Sequence, residues 1–93
     1  MFTHIVLMRF PRIEVALEAA QRLRALASEI DVVQGLVAGV DTASPGTYSL
    51  GLVVTLDSED DLEEWSSHPA HENVASFVRE HRIDAVRCNF NSE

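Results

Sequence analysis

The stretch that most limits the choice of fold is FTHIVLMRF at residues 2–10. Rich in β-branched and aromatic side chains and closed by Pro11, it reads as a β-strand. Alternate side chains of a strand face opposite ways, so Phe2, Val6, Met8 and Phe10 share one face and Ile5 and Leu7 the other. Both faces are apolar. A sheet built on this strand needs cover on two sides, and a chain of 93 residues supplies one small core.

Beyond the strand the hydrophobic period changes. Ile13, Leu17, Ala20, Leu23, Ala27 and Ile30 recur at steps of three and four, which predicts an amphipathic helix packed through that stripe. VVQGLVAGV at 32–40 returns to a strand whose two glycines point to a bulge or a close backbone approach. Pro45-Gly46 punctuates a loop. YSLGLVVTL at 48–56 follows as a second strongly apolar strand. Ser58, with Asp61 three places on, has the form of a capping box for a short helix that carries Leu62 and Trp65 inward. Pro69 suits the first position of a further helical segment, with Ala70, Val74, Phe77, Val78 and His81 along one side. IDAVRCNF at 83–90 closes the chain as a strand, with Val86, Cys88 and Phe90 expected inward.

The order is β-α-β-β-α-β with the second helix broken in two. Residues 1–93 therefore read as one α+β domain of the ferredoxin-like type: a four-stranded antiparallel sheet, first and third strands central, both helices on one face. The other face would be an exposed apolar surface. Pairing of two sheets across a twofold axis removes it, so a homodimer is expected.

Charge narrows the partners. Fifteen acids against seven arginines and no lysine give a net charge of −8, which repels nucleic-acid phosphates and anionic lipid. The arginines are scattered along the sequence. No apolar run approaches the roughly 20 residues of a membrane helix, and no leader precedes the first strand, so a cytoplasmic protein is expected. Cys88, the sole cysteine, cannot form an internal disulfide, which fits a reducing compartment. Phosphate loop, dinucleotide fingerprint and nucleophile elbow are all missing. The acidic run at 57–64 lacks the spacing of a calcium loop, and His68 with His71 falls short of the three protein ligands of catalytic zinc. Neither a metal nor a cofactor is expected.

HPAHENVASF at 68–77 is where chemistry concentrates. If Pro69 is the first helical residue, His68 is the cap and His71 lies in the first turn. The positive end of the helix dipole disfavours an imidazolium there. A neutral imidazole can serve as a general base. Plainer roles exist for each residue: His68 as a structural cap, His71 packed on Val74 and Val78, His4 as a satisfied interior histidine, His81 as a surface group near a helix end, and Trp65 as core.

In sequence order, HIVLMRF at 4–10, YSLGLVVTLDSEDDLEEW at 48–65 and HPAHENVASFV at 68–78 resemble the stress-responsive dimeric α/β-barrel (Dabb) domain, over His4 to Phe90. The resemblance implies a ferredoxin-like fold and a dimer whose two sheets form a barrel-like core. It also implies a site. One plant member of that family is a polyketide cyclase using a tyrosine and a histidine; His71 matches the acid–base histidine, Trp65 stands in place of the tyrosine, and His4 matches a strand histidine lining the same cavity. An indole N–H can donate to a developing oxyanion but cannot exchange a proton as a phenol does. Tyr48, the sole tyrosine, is a further candidate for the pocket. The expected function is binding of a small organic ligand near His71, His4, Trp65 and Tyr48. The rivals are a cyclase or lyase with His71 as general base, a heme- or oxygen-using monooxygenase of the related dimeric barrel type, and a non-catalytic stress protein that forms assemblies.

Overall fold

The computed structural model describes residues 1–42 and 48–92; the turn expected at Pro45-Gly46 lies outside them. The elements are β1 (Phe2–Arg9), α1 (Ile13–Glu29), β2 (Val33–Val40), β3 (Leu50–Leu56), α2 (Asp61–Ser67), α3 (Pro69–His81) and β4 (Asp84–Asn91). The four strands form one antiparallel sheet in the order β2-β3-β1-β4. The two most apolar strands, β1 and β3, are therefore central, where each pairs on both sides and buries most. The register shifts between Val33 and Gly35, at the first of the two strand glycines.

All helices lie on one face. Beneath them Phe2, Val6, Met8, Leu50, Leu52, Val54 and Leu56 form the floor of the core, closed from above by α1, Trp65, Val74 and Val78. α1 meets the sheet through a different stripe from the one its large side chains suggest. Ala16, Ala19, Ala20, Leu23 and Leu26 are buried, while Ile13 and Leu17 are about half exposed. The three alanines have no exposed surface; their small side chains let the helix backbone settle close to the sheet, and bulkier residues there would hold it off. Only Ala20, Leu23 and Ile30 of the expected stripe reach the core.

Ser58 does not cap α2. The cap position is Asp60, with no side-chain hydrogen bond, and the chain enters the helix through backbone bonds from Asp61 N–H to Ser58 O (3.1 Å) and Leu62 N–H to Glu59 O (3.0 Å). Asp61, Glu63 and Glu64 place negative charge in its first turn, where the helix dipole favours it. The break before α3 has a local cause. Pro69 disfavours helical geometry at the residue before it, and His68 is extended (φ −62°, ψ 136°). The Ser66 and Ser67 hydroxyls donate back to the Leu62 and Glu63 carbonyls at 2.9 and 2.8 Å, occupying acceptors at the end of α2.

The helix-free face is organised in rungs across the sheet. Val37, Val53, Ile5 and Cys88 form one; Gly39, Gly51, Leu7 and Val86 the next; Gly35, Thr55, Thr3 and Phe90 lie on the far side. Val86, Cys88 and Phe90 thus sit on this open face rather than in the core. Leu7, Val86 and Phe90 remain 38, 43 and 42 % exposed. The physical reason is parity: antiparallel pairing aligns Val86 with Leu7 and Cys88 with Ile5, so the apolar set of β4 must share their side.

Candidate functional site

A cavity of about 320 Å³ opens between α2, α3 and the β1–β4 half of the sheet. Its floor is set by strand parity. His4 shares the helix side of β1 with Val6 and Met8, and faces Asn89 across the ladder while Val6 faces Arg87. His4 is 8 % exposed, and its Nδ1–H donates to Asn89 Oδ1 at 2.5 Å. That bond places the lone pair on Nε2. The break at His68 brings α2 back over α3, so Trp65 meets His71 edge to face with ring centroids 4.9 Å apart; His4 approaches the same indole at 6.3 Å. Trp65, 1 % exposed, stands between the two histidines.

Two polar atoms here are buried without a hydrogen-bond partner, Trp65 Nε1 and His71 Nδ1. Each such group costs about 1–3 kcal/mol, and native interiors hold few of them. Glu72 comes no closer than 4.0 Å to His71 Nδ1, beyond hydrogen-bond reach. Burial pushes both His71 and His4 below the ordinary histidine range. Glu72 and the Ser66 carbonyl partly oppose this at His71, while His4 and Arg79 reinforce it; at His4, Asn89 opposes and Arg87 reinforces. Both rings are neutral at pH 7. The main cause at His71 is burial among α2, α3 and the sheet, which a local reading of the helix terminus does not contain.

The sign of the pH dependence follows. As pH falls through the unfolded histidine value near 6.5, the unfolded chain binds protons that the folded protein refuses, so folding stability is lost on the way down to the folded values. Thermal unfolding at fixed protein concentration is expected to show a falling Tm between pH 7.5 and pH 5. His71→Gln is expected to flatten that slope, and an unchanged slope would show that His71 titrates freely.

His4, Trp65 and His71 are brought together. Tyr48 is not: it does not line the cavity, and it lies six residues before Val54, the β3 partner of His4, a separation of roughly 20 Å along a strand. His68 is occupied as a cap, its Nδ1 accepting from Ala70 N–H at 3.1 Å. His81 packs at a tilt against Phe77, ring centroids 4.6 Å apart, on the side of α3 that meets α1. Among the described residues, no group of three His, Cys, Asp or Glu side chains is placed to hold a metal ion, and no helix is long and apolar enough to cross a membrane. Arg79, Arg82, Arg87 and Asn89 also line the cavity, and sequence reading did not find them. For Arg87 and Asn89 the signal was the parity of β4: they alternate with the apolar set that faces the other way.

An antiparallel four-stranded sheet in this order, with helices on one face and a histidine-walled cavity between the layers, defines a ferredoxin-like α+β protein. The chain belongs to the Stress responsive A/B Barrel Domain family, whose sequence model matches residues 2–92. No curated protein matches it. Among solved structures it is similar to a dimeric ferredoxin-like protein of unknown function from Bacteroides fragilis (20 % identity, 98 % of this chain and 95 % of that one, TM-score 0.87). Another of the same description, from Thermobifida fusca, is 23 % identical over 98 % of this chain and 90 % of that one, with a TM-score of 0.86. A hydroxynitrile lyase from Passiflora edulis is similar over 96 % of this chain and 90 % of that one, at 14 % identity and a TM-score of 0.81.

Proposed function

We propose that the protein is a homodimer whose protomers each bind a small organic ligand in the cavity walled by His4, Trp65 and His71, and that His71 is the general base acting on it. The observation that carries this reading is the pair of neutral histidines flanking a buried indole in a cavity of about 320 Å³. Such a volume, apolar on the Leu62, Val74 and Val78 side, holds a ligand of modest size with a few polar groups. The open apolar sheet face supports the dimer, as do the ferredoxin-like relatives from two bacteria, which are dimeric.

The chemistry is proton removal next to a carbonyl. A neutral His71 nitrogen takes the proton, the C–H electrons move toward the carbonyl oxygen, and the carbanion adds to a second carbonyl carbon of the same ligand. The imidazolium then returns its proton to the new alkoxide, so atoms and charge balance within ligand and protein. Run in reverse, the transfers serve a lyase: His71 takes the proton of a ligand hydroxyl, the carbonyl forms as the carbon–carbon bond opens, and the imidazolium returns the proton to the departing carbanion. His4 Nε2, kept unprotonated by the bond to Asn89, is placed to accept from a ligand hydroxyl.

Native mass spectrometry of the untagged protein is expected to show a dimer that retains a small-molecule mass. With that molecule or its precursor as substrate, His71→Gln is expected to lower kcat/KM at least about 100-fold, with the dimer preserved and Tm unchanged at about pH 7.5. Loss of the fold in His71→Gln would assign the residue to packing, and unchanged turnover would remove it from the chemistry.

A further inference from the structure

Three of the seven arginines, Arg79, Arg82 and Arg87, line this one cavity. Among the described residues, none of the acids does. In a chain with fifteen acids to seven arginines, an even sampling would bring acids to the wall twice as often. The arginines come from different elements: Arg79 from the last turns of α3, Arg82 from its C-cap and Arg87 from the edge strand. Folding gathers what the sequence scatters. Among the described residues Arg82 and Arg87 have no carboxylate within 4.0 Å, and Arg79 reaches Glu72 only at 4.0 Å.

We infer that the cavity selects a ligand bearing a carboxylate, held at the rim by Arg82 and Arg87 beside Asn89, with the ligand's apolar body turned toward Leu62, Val74 and Val78. The inference rests on the ligand-binding reading above and names the class of that ligand. A guanidinium offers paired N–H donors that match a carboxylate's two oxygens. Asn89 uses its Oδ1 for His4 and keeps its amide N–H groups to donate. With both histidines neutral, the arginines supply the positive field of the site. In a protein of net charge −8, that local field also gives an anionic ligand one favoured place to enter.

The test uses matched acids and amides, benzoate against benzamide and hexanoate against hexanamide. Trp65 is the only tryptophan and lines the cavity, so its fluorescence reports occupancy; calorimetry gives the affinity. The acids are expected to bind at least tenfold more tightly than the amides, with an advantage that shrinks as salt rises. Arg87→Gln alone is expected to remove much of that advantage, and Arg82→Gln with Arg87→Gln to bring the acids down to about the affinity of the amides. Equal affinity for acid and amide, or an advantage that survives the double substitution, would overturn the charge selection and leave the pocket intact. No binding of either class to folded dimer would overturn the pocket, and this inference with it.

Discussion

Replacing Trp65 by alanine is expected to cost about 3–5 kcal/mol, the range for truncating a large buried aromatic side chain. Trp65 heads the fully buried side chains of this protein, closing the core over β1 and forming the wall that His4 and His71 lean against. Domains of this size are held by only about 5–15 kcal/mol. At about 4–8 °C per kcal/mol, Tm should fall by roughly 12–40 °C, read at fixed protein concentration because the proposed dimer would make Tm concentration-dependent. Trp65→Phe should behave differently. It keeps most of the apolar volume and deletes an indole N–H that is buried without a partner, so the lost packing is partly offset by the removed desolvation cost. A loss within about 1.5 kcal/mol is expected for Phe. A loss for Phe well beyond that would mean that the indole N–H is satisfied in solution.

Leu7→Glu is expected to turn the proposed dimer into a folded monomer. Leu7 lies on central strand β1, on the helix-free face, beside the Gly39–Gly51 pair that leaves its rung low; its Cδ2 lies 3.7 Å from where a Cβ at position 51 would be. A twofold axis places the substitution in the interface twice. Each buried, unpaired carboxylate costs a few kcal/mol, and about 2.8 kcal/mol already corresponds to 100-fold in Kd. Sedimentation at micromolar concentration should therefore give monomer with native circular dichroism. Leu17→Glu is the control: Leu17 is exposed to a similar degree but sits on α1, and its dimer should persist. If Leu17→Glu dissociates the dimer and Leu7→Glu does not, the subunits meet through their helices.

Where sequence reading of the fold succeeded, the signal was local. β1 and β3 carry dense apolar alternation, and their central places follow from it. The break at His68 follows from Pro69, and the cap from His68 itself. Where it failed, side chains of similar polarity competed for the same place. On α1 the bulk of Ile13 and Leu17 outweighed three alanines in the pattern, yet close helix–sheet packing selects the alanines. On β4 the apolar set Val86, Cys88 and Phe90 reads as core because apolar residues usually face it, but β4 is an edge strand bordering a cavity on its helix side.

The site divides along the same line. His71 in a first helical turn, and His4 and Trp65 as its companions by family resemblance, were legible beforehand, whereas Tyr48 lies before the start of β3, far from the cavity. The sequence by itself determined the order of elements, the central pair of strands, the two apolar faces of β1 and the family. Only the tertiary structure decided which face of α1 is buried, that burial holds the His71 and His4 rings neutral, and that Arg79, Arg82, Arg87 and Asn89 stand around them. The reason is physical: periodicity and capping are set by neighbours along the chain. Desolvation and the field within a cavity are set by neighbours through space, here by the register that puts Asn89 opposite His4 and Arg87 opposite Val6.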